Sequence, residues 1–557
     1  MSNQQASRMN IGFVAFCAAV TGIGGFLFGY DTAVINGANT FLQQYFHLDP
    51  AKDSFLIGLA TAAAIIGCIP GAMSAGFISD KFGRRKVLFF CAALYAISGV
   101  LSAIPQNFIQ FVIARILSGV AIGVSSMICP VYVAEIAPPK WRGRLGTMFQ
   151  LGIVVGIFVT LFINGRIQAL GDEAWNIRVG WRWMLAIEAL PAFVFIALLF
   201  PIPESPKWLI QAGREEEARK TLERIGGPDY TNAEVAAVRE VLSQEEGSFK
   251  ELFSRDYRLP LTIAMFIMLA SQFSGINVVM YYSTSIFKNA AGIGPIATEV
   301  NQFRGGLKDA QVVLKLDEAH TNITVALQAL RSKELQPALD SNEVAAIAAQ
   351  LDQAQSAGNL DDLRRAVKAA SALADAGTVK EKFREIENQA NAKAFTCSVW
   401  IGFVNVIATF IAIIFVDKAG RKPLLLFGNA IQVIGLVMVG YIYSANPHSK
   451  MLLGGVITYT AAFAMAMGPI PWILCSEIFP AKLRGRAMSV STFSIWVACY
   501  LVSQTFPLML KAFGSTKTFW FYAACSAVTF LFVLLLVPET KGRSLEEIEK
   551  SWHKHAK

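Results

Sequence analysis

From Ser54 to Ser79 the chain carries no acidic or basic side chain, and the same holds from Val87 to Ile104 and from Pro423 to Ser444. About 20 helical residues cross a hydrocarbon core, and in that medium each backbone amide must find its partner within the protein. Such runs leave one broad solution, an all-α polytopic membrane protein. Apolar spans of this kind occur twelve times, at 11–36, 54–79, 87–104, 108–133, 146–165, 181–201, 259–287, 394–416, 423–444, 452–478, 487–511 and 518–537. Charged residues are 16% of the chain, against roughly 25% in soluble domains, in keeping with that class.

A net charge of +9 raises nucleic acid as a partner, but its placement argues for a lipid bilayer instead. Lys and Arg cluster in short loops, KFGRRK (81–86), KWRGR (140–144), DKAGRK (417–422) and AKLRGR (481–486), which alternate with loops almost free of them, such as the turn at Pro105–Asn107. This is the positive-inside pattern. It predicts that the basic loops and both termini face the cytoplasm. The eight cysteines (17, 68, 91, 129, 397, 475, 499 and 525) lie in apolar segments without metal or disulfide spacing, and read as small packing residues. The first span is followed by no small-residue cleavage site and reads as a retained helix. With no metal-ligand cluster, nucleophile motif or nucleotide loop, and all five histidines outside the spans, neither an enzyme nor a cofactor is expected.

Three motifs recur in order. DKFGRRK at 80–86 returns as DKAGRK at 417–422 (420 − 83 = 337), EIAPPKWRGR at 135–144 as EIFPAKLRGR at 477–486 (477 − 135 = 342), and PESPKW at 203–208 as PETKGR at 538–543 (538 − 203 = 335). Nearly one offset implies two homologous six-helix halves, an architecture that binds its substrate between the halves at mid-depth. The division that follows is an N-terminal half (1–201), a charged helical cytoplasmic linker (202–258), the seventh span (259–288), an insertion (289–393), the remaining five spans (394–537) and a cytoplasmic tail (538–557). The insertion falls between spans seven and eight and is therefore external. Periodic stretches such as LDDLRRAVKAASALADA suit a small antiparallel helical bundle. It also holds the sequon Asn322-Ile323-Thr324, a pattern short enough to arise by chance.

Charge inside the spans is scarce: Asp31 in the first, Arg115 in the fourth and Glu188 in the sixth. A carboxylate at such depth costs about 2.5–3.5 kcal/mol, so it asks for a use. Low dielectric favours its neutral form and a nearby guanidinium its charged form. An acid poised between the two loads and releases a proton as local geometry changes, with Arg115 as counter-ion to Asp31. The competing reading is a static ion pair pinning the first and fourth spans. Glu188 is either a relay or a hydrogen-bond anchor. The C-terminal half supplies neutral polar groups: Gln272, Asn277 and Tyr281 at spacings of five and four, close to one helical face, Asn405, and Trp472 beside Pro469 and Pro471, prolines that loosen its helix. Gln150 opens the fifth span. Amides that donate and accept, beside an indole with one donor, suit a neutral polyhydroxylated ligand; interhelical amide contacts, worth about 0.6 kcal/mol each, are the alternative. On the cytoplasmic face, Asp80, Arg84, Arg85, Glu135 and Arg142, with Asp417, Arg421, Glu477 and Arg484 in the repeat, are placed to form carboxylate–guanidinium pairs that close the halves against each other.

The strings GYDTAVING, RILSGVAIG, PVYVAEIAPPKWRGRLG, PESPKWL, QFSGINVVMYYS, VDKAGRKPL, GPIPWILCSEIFP and PETKGRSLEE resemble the sugar porter family of the major facilitator superfamily, and within it the bacterial proton-coupled symporters of the xylose type. The resemblance covers nearly the whole chain except about 289–393. It implies proton coupling at Asp31 with Arg115, where facilitative members carry asparagine, and sugar contacts from Gln150, Gln272, Asn277, Tyr281, Asn405 and Trp472, with Phe28 lining the cavity. The expectation is a monomeric symporter of a pentose or hexose in a cell membrane, the bacterial inner membrane; a uniporter and a sugar sensor using the insertion are the rivals. Two positions depart from the family. Ser271 precedes Gln272 where relatives have a second glutamine, and Ile495 precedes Trp496 where relatives have an amide.

Overall fold

The computed structural model describes residues 9–49, 52–243, 249–288, 294–312, 316–332, 341–375, 377–446, 449 and 451–541. Its membrane-crossing helices are α1 (Ile11–Tyr45), α2 (Ser54–Phe82), α3 (Arg84–Ala103), α4 (Phe108–Ile136), α5 (Pro139–Gln168), α6 (Glu173–Leu199), α7 (Arg258–Lys288), α8 (Gly377–Ala419), α9 (Arg421–Ala445) and α10 (Met451–Glu477). The last apolar run, Ala481–Leu536, is far longer than one crossing and breaks at Gly514, whose φ of 73° is non-helical. It therefore makes two helices, α11 (481–513) and α12 (515–536), and the expected twelve are complete. Side chains such as Phe77, Ile109 and Leu535 stand 74%, 70% and 76% exposed, a surface that only lipid satisfies.

The N-terminal half is held by close helix pairs. Gly29 of α1 lies against the Ile153 carbonyl of α5, and Gly119 of α4 against the Ala64 carbonyl of α2, so tightly that a β-carbon at either would overlap that oxygen. Small residues that let backbones meet are the usual means of packing helices in lipid. Gly119→Ala is expected to lower stability by about 1–3 kcal/mol through overpacking, read as a lower melting temperature in detergent.

Several helices bend where they carry polar groups. α6 loses its regular turn at Ile187–Glu188, three residues ahead of Pro191, which has no N–H to return to that turn. α7 breaks at Ser274–Gly275, with φ of Gly275 at 89°, between Gln272 and Asn277. α10 breaks between Met465 and Ile470, just before Trp472.

Between α6 and α7 lie the helices Pro206–Gln211, Glu215–Ser243 and Phe249–Leu252. Between α7 and α8 lie Gly294–Val312, Leu316–Leu330, Ser341–Gln355 and Leu360–Ala374, with an apolar core separate from that of the membrane helices. The span expected from 394 is the second part of α8, which starts at Gly377 and passes through that position unbroken.

Candidate functional site

Asp31 of α1 and Arg115 of α4 form a buried ion pair, 0% and 1% exposed. The Arg115 Nη1 donates to Asp31 Oδ1, its Nη2 donates to the Asp31 backbone carbonyl at 3.0 Å, and Ser118 Oγ donates to Asp31 Oδ2 at 2.5 Å. Ser118 follows Arg115 by three residues and so shares its helical face. Glu188 is fully buried at the α6 break, close enough to feel both Asp31 and Arg115. Neither of its carboxylate oxygens has a hydrogen-bond partner among the described residues. Two buried acids thus face one guanidinium.

On the other half, the α7 break brings a polar chain together. Gln272 Nε2 donates to Ser271 Oγ at 2.9 Å, and Asn277 Nδ2 donates to Gln272 Oε1 at 2.5 Å and reaches Cys499 Sγ of α11 at 3.1 Å. The Tyr281 hydroxyl meets the same sulfur at 3.8 Å. Phe28 of α1 packs against Trp496, ring centroids 5.6 Å apart, and against Phe149 at 6.4 Å. Between the halves is a narrow, water-sized cleft lined by Thr32, Cys68, Arg115, Tyr281 and Trp496 among others. The counter-ion of Asp31 therefore borders the same space as the aromatic side chains of Tyr281 and Trp496 opposite.

Of the residues singled out in sequence, Asp31, Arg115 and Glu188 form one group, and Gln272, Asn277 and Tyr281 another. Phe28 joins the cleft through Trp496. Gln150 on α5 and Trp472 on α10 are half-buried and Asn405 on α8 is buried; none of the three hydrogen-bonds to these groups among the described residues. Trp496 and Cys499 were not among the sequence candidates. Cys499 follows Trp496 by three residues, one turn along the same face, but that spacing alone marks neither as facing the cleft.

The arginine–glutamate pairs lie inside each half and do not bridge the two. Arg84 donates to both oxygens of Glu135 at 3.0 and 3.1 Å, and is within 3.0 Å of Asp80; Arg421 donates to Glu477 at 3.2 and 2.8 Å. Ser205 Oγ donates to Glu135 at 2.6 Å, and Thr540 Oγ1 donates to Glu477 at 2.5 Å. Gly83 and Gly420, with φ of 93° and 94°, turn the chain so that α3 and α9 begin at these arginines. Their first amides donate to Glu204 and Glu539: Arg85 N at 3.0 Å, and Arg421 N and Lys422 N both at 3.1 Å. Burial alone raises Glu539, yet the backbone N–H groups of Lys541, Arg421, Lys422 and Thr540 outweigh it and hold this carboxyl below the usual glutamate range. Its contribution to stability is thus present above the ordinary glutamate pKa and fades as pH falls through the lowered one. Arg85 spends its side chain on the carbonyls of Leu199 and Phe200. Arg142 and Arg484 pair with no carboxylate among the described residues. The side chain of Asp417 lies outside the described residues.

Contacts between the halves gather at the opposite end, the one that bears the insertion. Asn36 of α1 donates to the Met280 carbonyl at 2.8 Å and Ser283 Oγ at 2.5 Å, and accepts from Thr284 N at 2.9 Å. Gln504 of α11 donates to the Phe55 carbonyl of α2 at 2.9 Å. With the halves joined there and, among the described residues, only intra-half ion pairs at the basic end, this is a conformation closed on the insertion side.

Two six-helix halves around a cleft at mid-depth, with broken helices and scarce buried charge at the cleft, define a secondary transporter of the major facilitator type. The chain belongs to the sugar transporter family: the profile described as "Sugar (and other) transporter" matches residues 14–300 and 383–552. It is 34% identical over 547 residues to an arabinose–proton symporter of Bacillus subtilis, covering 98% of this chain and 96% of that one. It is 30% identical over 579 residues to a D-xylose–proton symporter of Escherichia coli, covering 99% and 98%. Among solved structures, the partially occluded inward-open form of the E. coli xylose transporter matches with a TM-score of 0.71 at 29% identity, covering 96% of this chain and 100% of that one.

Proposed function

We propose that the protein imports a monosaccharide, a pentose or hexose, together with protons by alternating access. One observation carries this reading: Arg115, which holds Asp31, also lines the cleft bordered by Tyr281 and Trp496. A sugar entering that cleft and a proton reaching Asp31 both act on the position of one guanidinium.

With two acids against one base, the group is charge-balanced when it holds a single proton. Protonating Asp31 frees Arg115 from it, and Glu188 is the second acid able to receive the guanidinium or the proton. Removing a charge from a buried pair without such compensation costs about 3–5 kcal/mol, so Glu188 lowers the barrier to each exchange. On the other half, Gln272, Asn277 and Tyr281 hydrogen-bond the sugar's hydroxyls, and Phe28 and Trp496 cover its apolar face. Gln150, Asn405 and Trp472 complete the ring of contacts when the halves close on a ligand. Asp80, Arg84, Arg85, Glu135 and Arg142, with Asp417, Arg421, Glu477 and Arg484, form the cytoplasmic gate surfaces, each half carrying its own network. The division at 1–201, 202–258, 259–288, 289–393, 394–537 and 538–557 assigns the insertion to the external face and both termini to the cytoplasm. The protein works as a monomer in the inner membrane.

The test is uptake of a panel of labelled pentoses and hexoses into proteoliposomes with an inward proton gradient and potential. A potential supplies about 2.3 kcal/mol per charge per 100 mV, so one proton per sugar gives more than tenfold accumulation. A proton ionophore is expected to reduce the internal level to the external one. Accumulation that survives the ionophore refutes proton coupling, and equilibration without accumulation supports a uniporter.

A further inference from the structure

The insertion is joined to the membrane part by more than its chain ends. Val379, Phe383, Ile386 and Ala390 belong to its apolar core, with the rings of Phe303 and Phe383 at 5.6 Å. All four lie in the first turns of α8, which continues as a membrane helix to Ala419. The sugar transporter profile stops at 300 and resumes at 383, inside this same helix. A continuous helix bends only at identifiable interruptions, and none falls here. The bundle therefore tilts when α8 tilts.

The opposite stripe of α8 faces the other half. Arg384, Asn391 and Phe395 are spaced by seven and four residues, one helical face. Phe395 packs at Gly165 of α5. Asn391, 5% exposed, lines with Phe395 a narrow, water-sized cleft against Gly37, Thr40 and Phe41 of α1. Arg384 forms an ion pair with Asp172 in the connection between α5 and α6. From Phe395 to Arg384 the contact climbs about 16 Å of helix, ending beyond the membrane helices on the N-terminal half.

We propose that the insertion is a strap: it rides on α8, docks through Arg384 on the α5–α6 connection while this end is closed, and must leave Asp172 for this end to open. The proposal rests on the alternating-access reading above. The chemistry of the contact fits a reversible one. Arg384 and Asp172 side chains are 49% and 31% exposed, so their pair is one that water and salt can replace at low cost, unlike the sealed pair of Asp31 and Arg115.

In the full-length chain, an Asp172→Cys, Arg384→Cys double variant is bridged with a short, reductant-cleavable bis-methanethiosulfonate. Bridging is expected to lower sugar uptake at least tenfold, with recovery on reduction, while each single variant treated alike stays within about fivefold of the parent. Failure to bridge, or a bridged protein that transports at the parent's rate, overturns the strap. A second readout needs no sugar. In a chain carrying Thr40→Cys, Arg384→Asp is expected to speed labelling by an impermeant maleimide about two- to fivefold, and adding Asp172→Arg to reverse it. Unchanged labelling, or no reversal, refutes the docking contact. If the unbridged protein moves no sugar yet the labelling pattern holds, the transport reading fails and the strap stands.

Discussion

Asp31→Asn is expected to abolish uphill sugar accumulation while leaving exchange of sugar across the membrane intact. Asparagine keeps the size of the side chain and an acceptor for Ser118, whose hydroxyl lies 2.5 Å from Asp31 Oδ2, but it cannot take up a proton. Arg115 loses its ionic partner. In a dry site that loss alone would cost about 3–5 kcal/mol, but Glu188 lies within electrostatic reach and is otherwise without a hydrogen-bond partner among the described residues. The variant therefore folds, with the guanidinium turned toward Glu188. In proteoliposomes under a proton gradient, the more than tenfold accumulation of the parent falls to equilibrium, and counterflow continues at a comparable rate. Uphill uptake that persists in Asp31→Asn refutes the assignment of the proton to this acid.

The second large effect is expected at Asn277. Its amide sits at the junction of the polar chain, donating to Gln272 Oε1 and meeting Cys499 Sγ, 8% exposed and just past the α7 break. Asn277→Ala removes a partner from two buried polar groups at once, and each buried group left unsatisfied costs about 1–3 kcal/mol. Apparent sugar affinity is expected to fall about 10- to 100-fold, read from the half-saturating concentration for uptake or from thermal stabilisation by the sugar. The maximal accumulation ratio should be unchanged, because Asp31 and Arg115 lie in the other half. A variant that loses accumulation but keeps affinity would place Asn277 in proton coupling instead.

These two predictions differ in how visible their basis was beforehand. Asp31 and Arg115 stand out in a chain whose spans carry few other charges, and their pairing could be anticipated because few other partners exist at that depth. Asn277 was one amide among several, and nothing in its spacing said that Cys499 would meet it. Trp496 escaped for the same reason: tryptophans fill apolar helices for many purposes, and only the contact with Phe28 shows which one faces the cleft. The gate residues offer the converse case. The repeated motifs announced matched arginines and glutamates, yet the pairs lie within each half. Charge pairing by sequence says that partners exist, while the conformation of the halves decides which ones meet.

Lipid is a demanding solvent, and for that reason the chain alone determined the twelve crossings, the two repeated halves and the buried acid with its counter-ion: hydrocarbon penalises charge and unpaired amides at every position, so the pattern is written into composition. Tertiary structure decided what depends on contacts between distant segments. It joined the Asp31 pair and the Tyr281 face to one cleft, kept the arginine–glutamate networks inside each half, and ran α8 without a break from the insertion into the membrane. Polar and apolar residues sustain a helix equally well, so a change of hydropathy near residue 394 marks where solvent changes and leaves the backbone hydrogen bonds continuous.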